Sequence, residues 1–134
     1  MSIAQAGELF GIKAPDVGET TRIPVVLLDT DGNTVTGQAW NAAGMTVALA
    51  KYGASSFSAF PSFATGNWDE IGYGNYDIIL SGDQADEAGL LDTEGPLRIY
   101  VKTTATRGDT FIYKVNVRDV LRQTELQQRV SAAQ

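Results

Sequence analysis

This chain of 134 residues contains neither cysteine nor histidine. The first absence excludes disulfides, thiolate metal sites and a cysteine nucleophile. The second removes the usual general base near neutral pH and the commonest metal ligand. A non-enzymatic protein with no cofactor and no metal is therefore the expectation. Charge is also sparse, at 19% of residues against 43% hydrophobic, the balance of an ordinary globular domain. No run approaches the ~18 apolar residues of a membrane-spanning helix. Met1 to Glu8 lacks the basic residue and apolar core of a secretory signal. The expectation is a chain kept in the cytoplasm until it is assembled into something else, with no membrane partner.

What charge there is lies unevenly. Residues 1–97 carry three basic and thirteen acidic groups, whereas residues 98–134 carry seven basic and three acidic. Asp83, Asp86, Glu87, Asp92 and Glu94 form the densest acidic stretch. The basic end holds Arg98, Lys102, Arg107, Lys114, Arg118, Arg122 and Arg129. The plain reading is two solvated surfaces of one domain. The sharper one is head-to-tail complementarity between copies or with a partner, since opposite patches orient association. A net charge of −6 argues against a nucleic-acid partner.

Strand patterns dominate the pass along the chain. Arg22–Leu28 is β-branched and apolar, and Asp29-Thr30-Asp31-Gly32-Asn33 is a turn signal, so a hairpin with Thr34–Thr36 is predicted. Pro24 cannot donate a ladder hydrogen bond, which places that strand at an edge or starts it there. Met45, Val47 and Leu49 alternate with small or polar residues, as do Tyr76, Ile78 and Leu80, then Leu97, Ile99 and Val101, then Phe111, Tyr113, Val115 and Val117. Between Tyr52 and Trp68 the pattern predicts a short strand around Phe57–Phe60 and a loop. One helical turn is predicted at Asp83–Ala88, capped by Ser81 or Asp83. About seven short strands with regular turns predict an all-β, two-sheet antiparallel sandwich. It spans residues 18–118, between an extended N-terminal arm (residues 1–17) and a short C-terminal helix or arm (residues 119–134). Leu9 and Phe10 in the first arm, and Leu121, Leu126 and Val130 in the second, are the candidate partner-binding residues.

Catalytic and ligand motifs are weak. Asp69 and Glu70 point to opposite faces if extended, which suits solvation better than acid–base work. Asp29-x-Asp31-Gly32-Asn33 lacks the glutamate that a calcium loop needs at position twelve, where Trp40 stands. Arg107-Gly108-Asp109 falls at a predicted hairpin tip, where glycine is expected in any case. Trp40, Trp68, Tyr73, Tyr76 and Tyr100 suit core and rim, and alternatively a carbohydrate-binding groove, with Trp40 or Trp68 as the platform.

Three segments resemble a domain of fibre-like virion proteins of tailed phages. They are Thr36–Met45 before a strand, Asn67–Ile71 followed by Gly72–Leu80, and Leu90–Val101. Together the similarity covers roughly residues 22–122. More distantly, the arrangement resembles immunoglobulin-like N-terminal domains of baseplate and fibre proteins. The resemblance implies a virion structural protein whose partners are other virion proteins, bound in a symmetric array or homo-oligomer. Because the sequence stops at Gln134 without a stalk, the expectation within that family is a capsid-decorating or cement protein in many copies. The alternative is a tail, neck or baseplate adaptor that anchors a fibre.

Overall fold

A computed structural model describes residues 11–16, 18–91 and 93–116. Its strands are β1 (Gly11–Lys13), β2 (Thr20–Val26), β3 (Thr46–Ala50), β4 (Ser58–Ala59), β5 (Trp68–Gly72), β6 (Asn75–Ser81), β7 (Gly95–Lys102) and β8 (Asp109–Asn116). One short helix, α1 (Gly82–Glu87), joins β6 to β7. The strands form two sheets, ordered β1-β8-β7-β3-β4 and β2-β6-β5. The fold is an all-β sandwich.

The period-2 pattern sets which side chains fill the space between the sheets. Ile23 and Val25, Tyr76, Ile78 and Leu80, Leu97, Ile99 and Val101, and Tyr113 and Val115 are all buried, and each set comes from one face of its strand. Their neighbours in sequence face outward. The alternation predicted from residues 76–80, 97–101 and 111–115 therefore sets the core directly. A hydrogen bond ties the layers across it: the Tyr113 hydroxyl on β8 donates to the Pro24 carbonyl on β2. Pro24 itself lies mid-strand, and β2 is an edge strand of its sheet, the place where its missing N–H is tolerated.

Three expectations need correction. Gly11–Lys13 falls within the predicted N-terminal arm, yet it is a strand. It pairs with β8 in parallel, with Ile12, Ala14 and Pro15 buried. The chain then crosses to the other sheet before Thr20, so a parallel pair forms without a crossover within one sheet. The sandwich is otherwise antiparallel. Secondly, the predicted hairpin after β2 shrinks to one bridge, Leu28 with Thr34. The Asp29 carboxylate closes the turn by accepting from the N–H groups of Asp31 and Asn33. Val35 N–H still donates to the Leu27 carbonyl (2.9 Å), and beyond it side chains of β5 and β6 hold the chain. The Tyr76 hydroxyl donates to the Val35 carbonyl (2.7 Å), Gly37 N–H donates to Glu70 (2.8 Å), and Trp68 Nε1 donates to the Gln38 carbonyl (2.7 Å).

Thirdly, Trp68–Gly72 is a strand, paired with β6, where a loop was expected. Asp69 and Glu70 do point to opposite sides. Asp69 faces Asp77 across the ladder, and Arg22 Nη1 lies 3.0 Å from a carboxylate oxygen of each. That shared cation removes the repulsion which would otherwise oppose the pairing. The pairing in turn holds the Arg22 pKa above its ordinary value, first through Asp69 and then Asp77. The hairpin joining β5 to β6 turns tightly at Gly74, whose φ is 82° and whose missing Cβ leaves room for Thr34. Leu9, Phe10, Leu121, Leu126 and Val130, with the predicted C-terminal helix or arm, lie outside the described residues.

Candidate functional site

Edges are where a sandwich can take on another chain, because their backbone groups have one unpaired side. The β4 edge is built by a short run of small residues between aromatic ones. Ser58 and Ala59 pair with Leu49 and Ala48 of β3, and the next residue, Phe60, donates its N–H to the Val47 carbonyl (2.9 Å). Antiparallel ladders alternate, so the N–H and C=O of Ala59 face away from β3, toward the open side. Two clefts meet there. One, of about 430 Å³, is lined by Leu49, Pro61, Glu87 and Leu90 among others. The second, of about 370 Å³, is lined by Met45, Val47, Phe57, Phe60 and Phe63 among others. Ser58 and Ala59 belong to both linings.

The edge is firmly supported from behind. Phe60 packs edge-on to Phe63, Phe63 lies against Trp68, and Trp68 stacks on Tyr76 with ring centroids 4.9 Å apart. This aromatic chain runs from the edge to the centre of the core. Burial pushes the Tyr76 pKa up, partly offset by its backbone hydrogen bond at Gln38. Below the edge, Gln84 of α1 and Asn67 bond each other through both amide atoms, at 2.6 and 3.0 Å. The Gln84 amide also donates to the carbonyls of Pro61 (2.9 Å) and Ser62, and Asn67 donates to that of Ile79 (2.7 Å). The strand's exit at Pro61 is thereby fixed to both α1 and β6.

Outside this support the surface exposes apolar side chains. Phe57 is 44% exposed and approaches Tyr100 to 6.1 Å across β3. Ala48 and Ala50, the small residues beneath, are buried. Ile112 on β8 is likewise exposed.

Other sequence candidates fall elsewhere. Trp68 is only 8% exposed and holds the core, so it offers no ring face to a sugar; Trp40 is 36% exposed. The Arg107 and Asp109 side chains pair with each other at 2.9 Å, and Arg107 N–H donates to the Leu28 carbonyl, so the hairpin tip is tied down. Among the described residues no group of three or more carboxylates could hold a metal ion. The β4 edge was legible as a strand but not as a site. The Ser/Ala run between Phe57 and Phe60 carries no signal that clefts will open on either side of it. Comparison with protein-family models, with curated proteins and with solved structures finds no match.

Proposed function

We propose that this chain is a non-enzymatic structural building block that docks on neighbouring proteins through its β4 edge. The observation that carries the reading is the outward N–H and C=O of Ala59, set where two clefts meet. An extended partner segment added there would gain main-chain hydrogen bonds from the edge and place alternate side chains in the clefts. Strand order supports an immunoglobulin-like variant of the sandwich: β2, β6 and β5 correspond to strands B, E and D, and β3, β7 and β8 to C, F and G. The virion setting rests on the three resembling segments alone, of which Asn67–Leu80 contributes β5 and β6, and Leu90–Val101 most of β7. Within that setting the reading is a decoration or cement protein on the capsid surface, with a neck, tail or baseplate adaptor as the alternative.

Ala59→Pro tests the docking directly. It removes the one outward N–H without touching the ladder to β3, and proline is accepted at such an edge position. Particles purified from cells producing parent or variant would be quantified by mass spectrometry against the major capsid protein. The expected result is parent at a fixed ratio and variant absent, although its circular dichroism matches the parent's. A parent present at a ratio of about one per capsid subunit supports decoration, since many weak contacts then act together. A parent missing from particles overturns the virion setting, and a variant that enters as well as the parent overturns the edge.

A further inference from the structure

The two outer faces of the sandwich differ in how their charges are satisfied. On the β2-β6-β5 face, Arg22 is bridged to both Asp69 and Asp77 within the molecule. On the other face, the outward positions of β1, β8, β7 and β3 carry Lys13, Lys114, Arg98 and Lys102 and no carboxylate. Lys13 is 3.9 Å from Glu19, and the Lys102 ammonium donates to the Thr106 carbonyl. Arg98 and Lys114 have no ion pair among the described residues. Between these cations stand the half-exposed rings of Phe57 and Tyr100 and the exposed Ile112. An apolar centre with a charged surround is the anatomy of a docking face.

Opposite charge in the same state lies on the same chain. Asp83, Asp86 and Glu87 of α1 are exposed, and none is in an ion pair among the described residues. Two copies meeting by their basic faces would set like charges together, which disfavours a two-fold dimer through this surface. We infer that the basic β8-β7-β3 face receives the acidic α1 end of a second copy, in a head-to-tail contact. This rests on the assembly role proposed above and names the partner for one surface of it. Because the contact is heterologous, it continues into a ring or a filament.

The experiment is sedimentation equilibrium of the full chain with charge-reversed variants. At about 0.01 M salt the screening length is ~30 Å, and at about 1 M it is ~3 Å. The parent is expected to associate at the first and dissociate at the second. Arg98→Glu with Lys114→Glu is expected to lose association at low salt, as is Asp83→Lys with Asp86→Lys. Mixed together, the two variants are expected to regain it, because the reversed face of one meets the reversed helix of the other. A parent that is monomeric at low salt, or a mixture that stays monomeric, overturns the contact. Zero-length carbodiimide cross-links in the parent provide a reading that needs no variant. Lys102 or Lys114 joined to Asp83, Asp86 or Glu87 supports the contact, and cross-links only elsewhere overturn it. A chain monomeric here that still enters particles in an Ala59-dependent way would sink this contact and leave the proposed function standing.

Discussion

Tyr113 shows how one side chain can make stability depend on pH. Its ring fills the core and its hydroxyl donates across the sandwich to the Pro24 carbonyl. Burial, helped by the nearby negative charge of Asp77, raises its pKa from 10.0 to about 12. The folded state therefore keeps a proton that the unfolded chain releases first. Below pH 10 this contribution is fully present, and it is lost as pH rises through about 12. The gap is equivalent to about 3 kcal/mol as an upper bound. Tyr76, also raised by burial, acts with the same sign. Denaturant unfolding of the parent is thus expected to show stability falling steeply above pH 10. Tyr113→Phe should lose about 1 kcal/mol at neutral pH with its hydrogen bond, and should show a shallower alkaline fall, the remainder belonging to Tyr76. A variant as steep as the parent would mean that Tyr113 is not the group responsible.

At the level of elements, α1 is the piece on which the β4 edge depends. Ser81 caps it by accepting from Gln84 N–H, and Gln84 then carries the bonds to Asn67, Pro61 and Ser62. Gln84→Ala leaves the buried Asn67 amide short of a partner and frees the exit of β4. A destabilisation of about 2–3 kcal/mol is expected by denaturant titration, because several part-buried hydrogen bonds are lost together, each contributing about 1 kcal/mol. Ser81→Ala, which removes the cap alone, is expected to cost about 1 kcal/mol. Equal losses from the two would count against the wider role given to Gln84. This helix was legible in advance from Ser81 and the acidic first turn, and the core strands from their alternation. What stayed illegible was set by contacts distant in sequence. Nothing near Asp69 announces that Arg22 will neutralise it, and nothing near Val35 announces that the Tyr76 hydroxyl will hold its carbonyl. The pairing of β1 with β8 joins residues about a hundred positions apart, and Gly11–Lys13 is too short to display a period. The cleft at Ala59 needs α1, β3 and the Phe60–Phe63 corner to assemble before it exists at all.

Across the whole molecule, the two sheets differ in which of their outer charges are paired. The β2-β6-β5 sheet bridges Arg22 to Asp69 and Asp77 within the molecule and exposes Ile71 and, at the turn between β5 and β6, Tyr73. The β1-β8-β7-β3-β4 sheet has both the β4 edge and Arg98 and Lys114, which have no ion pair among the described residues, and the edge adjoins the outer face at Phe57, which lines a cleft and contacts Tyr100. If the chain docks as proposed, assembly should leave an asymmetric footprint. Amide hydrogen exchange compared between free and assembled protein is expected to show new protection at Ala59. Loss of side-chain reactivity is expected at Lys102 and Lys114, with Arg22, Asp69 and Asp77 unchanged. Backbone amides already bonded within β7 and β8 exchange slowly in either state, so the outward Ala59 amide is the sensitive reporter. Protection that appears on the β2-β6-β5 face instead would reverse the assignment, since that face would then have to give up the Arg22 bridges or bury them.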